Sequence, residues 1–275
     1  MLQQNKRLMT DPKQTTQDLE QLRAKAPLIH NITNYVVMNS TANALISIGA
    51  SPVMAHAVEE MEEMAGLASA LVINIGTLSD KWIEAMHVAG KAAKSKGIPV
   101  VLDPVGAGAT TLRTNTTKEL IQQVGPDVIR GNASEILAIA QAGFTTKGVD
   151  STASAESALE AAKDLAQSAG AVVSISGQTD YITDGKQVDQ ISNGHHLMGK
   201  VTGTGCTATA LIAAFASVNS NYQDAAGEAM AVMGIAGEMA GEKADAPGTF
   251  YVRFLDALYQ IDGDQIQKRW KNDKG

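Results

Sequence analysis

Short apolar runs alternate with longer amphipathic stretches along nearly the whole chain, a pattern typical of repeated strand–helix units. The clearest unit begins with the apolar run 71–76 and continues through apolar positions at helical spacing from Trp82 to Ala93. It then returns to an apolar run at 98–102. The pattern predicts a largely parallel sheet covered by helices.

Other segments extend this α/β pattern. Further strands are predicted at 27–30, 52–54, 127–129 and 171–175. Segments 179–183 and 187–191 flank an Asp-Gly-Lys turn, so they predict a hairpin that adds an antiparallel edge to the sheet. Helices are predicted at 206–218, 223–244 and 249–260.

Domain organisation follows from the absence of a linker, low-complexity tract or internal repeat. We expect a polar N-terminal extension over residues 1–16 and one domain over 17–275. Four glycines fall in the predicted helix 223–244, where each costs stability unless another backbone comes close. They are Gly227, Gly234, Gly237 and Gly241. We interpret them as sites of helix–helix packing.

Composition narrows the class of protein. The chain has 275 residues, of which 44% are hydrophobic and 4% aromatic, so it can bury a sizeable core. A net charge of −7 without a basic stripe argues against nucleic acid and favours a small-molecule ligand. The single cysteine excludes an intrachain disulfide and a multi-cysteine metal cluster. We expect neither a membrane span nor a signal peptide, and hence a cytoplasmic protein.

Residues 201–210 carry the most informative pattern, Val-Thr-Gly-Thr-Gly-Cys-Thr-Ala-Thr-Ala, between the hairpin and an apolar helix. Gly203 and Gly205 allow a tight turn that gathers N–H groups at a helix N-terminus, which favours an anion such as phosphate. The alternative is a glycine-rich turn with nothing bound. The segment is neither a Walker A loop nor a dinucleotide-binding fingerprint.

Cys206 lies in the first turn of this helix. The positive helix end should lower the pKa of its thiol, whereas a bound polyphosphate would raise it. The alternative is a small buried hydrophobic residue.

Two carboxylates follow successive predicted strands. Asp103 ends one strand and Glu135 lies just after the next, so both should reach the carboxyl edge of the sheet and could hold magnesium mostly through water. Asp103 could instead be a turn residue before Pro104, and Asn132 with Glu135 also fits a helix-capping box. Both structural roles are compatible with metal binding.

Two basic side chains also fall at predicted strand ends. Arg130 could pair with phosphate oxygens, although an isolated arginine is more often a solvated surface charge. His30 has no second ligand at metal spacing, so a hydrogen-bonded structural histidine is the better interpretation.

Four motifs together resemble those of the hydroxyethylthiazole kinase family, over about residues 19–258. They are His-Asn-Ile-Thr-Asn at 30–34, Asp-Pro-Val-Gly-Ala-Gly at 103–108, Arg-Gly-Asn-Ala-Ser-Glu at 130–135 and Thr-Gly-Thr-Gly-Cys at 202–206. The resemblance implies a ribokinase-like fold, a three-layer α/β/α sandwich with a mostly parallel central sheet. It also implies transfer of the ATP γ-phosphate to the hydroxyl of 4-methyl-5-(2-hydroxyethyl)thiazole, in thiamine salvage, by a magnesium-dependent homotrimer with active sites between subunits.

The resemblance also implies roles for individual residues. It places the thiazole near Asn31, Met54 and Gly203. ATP would contact Arg130 and Ser176, where many family members have threonine instead of serine.

The same resemblance assigns the residues around the transferring phosphate. Asp103 and Glu135 would organise Mg²⁺. Gly203, Thr204, Gly205 and Cys206 would form the anion hole, with Cys206 in the position of the aspartate base of ribokinases in general.

Three other functions share parts of this pattern. A ribokinase-like kinase acting on a hydroxymethylpyrimidine or a sugar would share the anion hole, but the Asn31 segment, Met54 and Cys206 argue against it. A nucleotide-dependent dehydratase of the same fold should carry aspartate in place of Cys206. A non-catalytic nucleotide-binding protein is disfavoured by the presence of both Asp103 and Glu135.

Overall fold

The computed structural model describes residues 10–144 and 155–271, which form one eight-stranded sheet between two layers of helices. The strand order is β2-β1-β3-β4-β5-β6-β7-β8. Strands β1 to β6 pair in parallel, and β7 and β8 add the antiparallel edge. The strands are β1 Leu28–Ile32, β2 Ser51–Met54, β3 Ala70–Asn74, β4 Val100–Asp103, β5 Val128–Asn132, β6 Val172–Ser176, β7 Asp180–Thr183 and β8 Val188–Ile191.

Helices cover both faces of the sheet. They are α1 Pro12–Lys25, α2 Met38–Ile48, α3 Met61–Leu67, α4 Asp80–Lys96, α5 Thr111–Gln123, α6 Ala133–Ile139, α7 Ala155–Ala169, α8 Thr204–Ala216, α9 Tyr222–Gly241, α10 Pro247–Gln260 and α11 Gly263–Arg269. One buried cluster joins the sheet to α1, α2 and α8 to α11, and the other joins it to α3 to α7. Every side chain of β3 and β4 is buried because helices cover both faces, as in other parallel sheets. The predicted three-layer α/β/α architecture is confirmed.

The chain termini differ from the sequence prediction. Helix α1 begins at Pro12, so residues 12–16, which we assigned to a polar extension, belong to the first helix. Asp11 caps this helix by accepting the N–H groups of Lys13 and Gln14, and Leu19 and Leu22 anchor it in the core. Residues 1–9 lie outside the described residues. Helix α11 was not predicted, because its seven residues contribute only Ile266 to the core.

The glycines of α9 do not serve the helix–helix packing that we predicted. A Cβ at Gly234 would lie 2.5 Å from the carbonyl oxygen of Asn193, and one at Gly237 would lie 2.5 Å from Met198 Sδ. At Gly241 it would meet the ring of His195. Three glycines thus let the chain that follows β8 lie directly on α9. Gly227, the fourth, lies against Thr10 at the start of the described chain.

No helix in residues 10–144 and 155–271 is long and apolar enough to span a membrane.

Candidate active site

Polar residues lie at the carboxyl ends of neighbouring parallel strands, from β1, beside the edge strand β2, to β5. Asn31 lies opposite Met54 in the register of β1 and β2. Asn74 lies opposite Asp103 in the register of β3 and β4. Arg130 follows on β5. Ligands of α/β sheets bind at this edge, where the strands end and the following loops diverge.

The turn before α8 is built for close approach. Gly203, the N-cap, has φ +85°, and a Cβ there would lie 2.8 Å from Val37 Cγ1. A Cβ at Gly205 would lie 2.7 Å from Arg130 Nη1. The two glycines therefore bring the N-terminus of a 13-residue helix against a guanidinium group. The helix N-terminus and the guanidinium group both attract an anion. The predicted anion-binding turn therefore lies beside Arg130, a neighbour that the sequence did not reveal.

Arg130 is only 8% exposed, although it carries a full charge. Its Nη2 donates a hydrogen bond to Ser176 Oγ at 2.6 Å, and its Nε is buried without a partner among the described residues. A buried charge of this kind is costly unless it is paired, which fits a site that receives phosphate oxygens. The structure thus brings Arg130 and Ser176 together, as the resemblance implied.

Asp180 shares the electrostatic environment of Arg130. Its carboxylate accepts the backbone N–H of Gly177 at 2.9 Å, which fixes the loop after β6. Burial raises the pKa of Asp180 to about 7, against the opposing effects of the Gly177 N–H and of Arg130. Sequence analysis missed Asp180, because its position at the start of a hairpin strand gave no sign that it was buried.

A chain of amides leads from the loop after β1 to Asp103. Asn34 Nδ2 donates to Asn74 Oδ1 at 2.9 Å, and Asn74 Nδ2 donates to Asp103 Oδ2 at 2.8 Å. Thr209 Oγ1 donates to the same Asp103 oxygen at 2.9 Å. A Cβ at Gly76 would lie 2.6 Å from Asn34 Nδ2, so this glycine makes room for the amide. Asp103 Oδ2 is therefore fully occupied.

Asp103 Oδ1, in contrast, is buried and has no partner among the described residues. Burial raises the pKa of Asp103 to about 6, with nearby Glu135 adding to the effect, while Arg130 and the hydrogen bonds from Thr209 and Asn74 oppose it. A free carboxylate oxygen with a raised pKa fits a place that a cation completes.

Glu135 is held by the backbone. Its Oε1 accepts the N–H of Gly106 at 2.9 Å, and its Oε2 accepts the N–H of Asn132 at 2.9 Å, which completes the predicted capping box. Each oxygen keeps a lone pair for a water molecule. No group of three or more His, Cys, Asp or Glu side chains in the described parts of the chain could enclose a metal ion. Asp103 and Glu135 therefore fit Mg²⁺, which keeps several water or phosphate ligands, better than a metal held entirely by protein.

Cys206 lies in the first turn of α8, as predicted, but its thiol is harder to ionise than the helix end suggested. Burial raises the pKa of Cys206 to about 11, and Asp103 adds to the effect. Hydrogen bonds from Asn74 and Asn34 and the charge of Arg130 act in the opposite direction, with Asn34 Nδ2 3.6 Å from Sγ. Burial outweighs the helix end, so the residue is a neutral thiol near pH 7.

Asn31 and Met54 lie near the carboxyl ends of β1 and β2. Asn31 is 1% exposed and its Oδ1 has no partner among the described residues. His30 Nε2 lies 3.1 Å from the carbonyl oxygen of Ala55, the residue after Met54, which agrees with the structural role expected of this histidine. Burial lowers the pKa of His30, so the ring is neutral and donates this hydrogen bond.

A cavity of about 620 Å³ opens between β6 and α9. Its lining includes Arg130, Ser176, Asp180, Thr204 and Gly205, whereas Asn31 and Met54 lie outside it. The structure therefore separates the residues expected to contact ATP, which line this cavity, from Asn31 and Met54, which do not. Of the residues that were not predicted, Asn74 could have been found, since it is an amide within the predicted apolar strand 71–76.

A helix N-terminus beside a buried arginine, with carboxylates at the ends of parallel strands, is the arrangement expected of a phosphotransferase. A ribokinase-like superfamily protein from Enterococcus faecalis superimposes with a TM-score of 0.63 at 12% identity, over 90% of this chain and 95% of that one, which supports the fold alone.

The family model "Hydroxyethylthiazole kinase family" matches residues 19–264, and the chain belongs to this family. A hydroxyethylthiazole kinase from Leptospira biflexa is 57% identical over 94% of this chain and 96% of that protein. The hydroxyethylthiazole kinase structure from Pyrococcus horikoshii has a TM-score of 0.88 and 44% identity, over 94% of this chain and 98% of that one.

Proposed function

We propose that this protein transfers the γ-phosphate of ATP to the hydroxyl of 4-methyl-5-(2-hydroxyethyl)thiazole, a reaction of thiamine salvage. The observation that carries the proposal is the pairing of the α8 N-terminus with Arg130, whose Nη1 lies 2.7 Å from the position that a Cβ of Gly205 would take. Family membership supplies the acceptor.

The donor side of the reaction is assigned to the 620 Å³ cavity. Arg130 and Ser176 bind the ATP phosphates, and the N–H groups of residues 203–206 stabilise the transferring phosphoryl group. These groups are already in place and partly desolvated, so little reorganisation is needed as charge develops. An overall charge of −7 does not oppose this binding, because salt screens distant charges and the nearby donors dominate.

The acceptor side is assigned to Asn31, Met54 and Gly203. Met54 is half-buried at the end of an edge strand and offers a polarisable contact to a sulfur heterocycle. The acceptor oxygen bonds to the γ-phosphorus, and the bond to the β-phosphate oxygen breaks, so that ADP leaves with that oxygen. The hydroxyl proton passes to an oxygen of the transferred phosphate and from there to water. Cys206 orients this hydroxyl as a neutral thiol, because a loose phosphoryl transition state requires little base strength.

Asp103 and Glu135 are the residues that would hold Mg²⁺, Asp103 through its unpartnered Oδ1 and Glu135 through water. The ion would supply positive charge that neutralises the phosphates. Asn74 and Thr209 occupy the other oxygen of Asp103 and thereby orient this carboxylate.

We also propose a single cytoplasmic domain that assembles as a homotrimer with active sites between subunits. The exposed Tyr35 and Val36, at 66% and 68%, follow Asn34 and lie near the acceptor side, where a second copy could cover them. Light scattering on the active enzyme tests the assembly, and a fully active monomer would contradict it.

A product assay with ATP and Mg²⁺ tests the activity. The thiazole alcohol, hydroxymethylpyrimidine and ribose are compared as acceptors, and the thiazole alcohol should give the highest kcat/KM. A preference for either of the other acceptors would reject the proposed substrate. ADP release in the absence of any acceptor is the background to subtract.

A further inference from the structure

One wall of the 620 Å³ cavity is the loop of residues 192–196, which joins β8 to the short 3₁₀ helix His196–Lys200; we call it the wall loop. Every residue of the wall loop contributes to the cavity lining. The turn that forms the anion hole follows a few residues later. A shift of the wall loop would therefore change the shape of the cavity.

The wall loop rests on the glycine face of α9. Asn193 lies so close to Gly234 that an added Cβ would be 2.5 Å from its carbonyl oxygen. This packing fixes the distance between the wall loop and α9. The polar groups of Ser192, Asn193 and Gly194 form hydrogen bonds with other parts of the chain.

The segment Arg269–Lys271 forms several of these hydrogen bonds. Asn193 Nδ2 donates to the carbonyl oxygen of Arg269 at 2.7 Å, and its Oδ1 accepts the N–H of Lys271 at 3.0 Å. The N–H of Ser192 donates to the carbonyl oxygen of Lys271 at 3.2 Å. Asn193 is 6% exposed, so these bonds satisfy an amide that has little access to water.

Glu238 on α9 links the wall loop to the segment Arg269–Lys271. Its Oε1 accepts Asn193 Nδ2 at 3.0 Å, the N–H of Gly194 at 3.2 Å and Lys271 Nζ at 2.8 Å. One carboxylate oxygen thus holds the wall loop, the C-terminal segment and the helix beneath them. The matched family model ends at residue 264, before this segment begins.

We propose that residues 269–271 act through Asn193 as a positioning segment for the nucleotide, and so set the affinity for ATP without contacting the reacting atoms. The proposal rests on the assignment of ATP to the cavity. A wall loop that is already held in place loses less conformational entropy when the ligand binds. Hydrogen bonds that hold this loop from outside the cavity can therefore change the affinity for the ligand. A purely structural role for the segment would change stability and leave the KM for ATP unchanged.

Deletion of residues 271–275 tests the proposal. It removes every bond of Lys271 and keeps Arg269 and the buried Ile266 of α11. The matched control is deletion of 273–275, which retains the complete Lys271 peptide unit. Relative to the control, we expect the KM for ATP and the Kd for ADP to rise about 5- to 20-fold, as expected for the loss of the two backbone hydrogen bonds of Lys271. The KM for the thiazole alcohol and the kcat at saturating ATP should stay within about twofold of the control, since the acceptor side is untouched.

Asn193→Ala gives a second route to the same change. Because the segment acts through Asn193, the deletion and the substitution together should weaken ADP binding no more than either alone. Full additivity, or an unchanged Kd for ADP in both single variants, would overturn the proposal, as would a parallel loss of affinity for both substrates. Arg130→Ala separates this failure from failure of the ATP site. If Arg130→Ala binds ADP normally, both assignments are wrong; if only Arg130→Ala loses ADP, the positioning segment alone is wrong.

Discussion

Glu228 and Asp18 form a buried pair of acids, remote from the active site, whose charge should make the fold sensitive to alkali. Glu228 is 0% exposed and Asp18 is 3% exposed. Asn219 Nδ2 donates to Asp18 Oδ2 at 2.9 Å and to both oxygens of Glu228 at 3.3 and 3.4 Å. Burial raises the pKa of Glu228 to about 9, and the charge and hydrogen bond of Asp18 add to the effect. Glu228 therefore carries a proton at neutral pH, and its O–H donates a hydrogen bond to Asp18.

The sign of the effect follows from proton linkage. The unfolded chain has the ordinary glutamate pKa of 4.5, so between pH 4.5 and about 9 the folded state binds more protons than the unfolded state. The stabilisation is fully present below pH 4.5 and is lost as pH rises toward 9. From pH 5 to pH 8, three pH units correspond to at most roughly 4 kcal/mol of lost unfolding free energy.

Glu228→Gln should remove this pH dependence. The amide keeps an acceptor for Asn219 and a donor for Asp18, but it does not ionise in either state. Urea denaturation at pH 5 and pH 8 should show that the variant loses less stability than the wild type between the two values and is the more stable protein at pH 8. Glu20→Gln, on the exposed face of α1, is the control and should follow the wild type. If Glu228→Gln and wild type lose stability equally between pH 5 and pH 8, the inferred protonation of Glu228 is wrong.

Three further changes test the active site directly. Cys206→Ala should lower kcat by about 10- to 100-fold without changing the KM for ATP, and Cys206→Asp should remain active, because positioning matters more than base strength in this reaction. A fully active Ala variant beside an unfolded Asp variant would exclude the catalytic role of Cys206. The magnesium concentration for half-maximal rate should be higher at pH 6 than at pH 8, because the raised pKa of Asp103, about 6, lets protons compete with the metal. The same magnesium concentration at both pH values, or wild-type activity of Asp103→Asn at limiting magnesium, would show that Asp103 does not bind the metal. Gly205→Ala should raise the KM for ATP about tenfold or more, because the added Cβ would displace Arg130. The control Gly66→Ala, at a position with open space, should leave this KM unchanged. Normal ATP kinetics in Gly205→Ala would argue against the position assigned to the guanidinium.

The strand ends of the site were predictable from the sequence, and their partners were not. Asp103, Arg130 and Glu135 each follow an apolar run, and the rule that parallel strands end at one edge was enough to bring them together. Asn34 and Thr209 lie in no such pattern. They reach Asp103 only through the packing of the β1 loop and of α8 against the sheet.

The packing partner of the α9 glycines was predicted wrongly, because sequence does not show which part of the chain packs against them. The glycines correctly indicated close approach, but the spacing of residues does not distinguish a neighbouring helix from a neighbouring loop. For Cys206, the sequence showed two opposing effects on the pKa of the thiol and left its charge open. The structure adds the burial of the sulfur, which is the largest effect and raises that pKa.

Arg130 connects the electrostatics of the whole site. It lowers the pKa values of Asp103, Asp180 and Cys206, yet all three remain above their ordinary values because burial outweighs one guanidinium. A further positive charge near these groups would lower their pKa values toward the ordinary range. A divalent cation that arrives with ATP would favour the ionised form of Asp103, and the phosphates would pair with the guanidinium of Arg130. In the proposed complex, nucleotide, metal and carboxylate would stabilise one another, so that a chain with seven excess negative charges could hold a triphosphate.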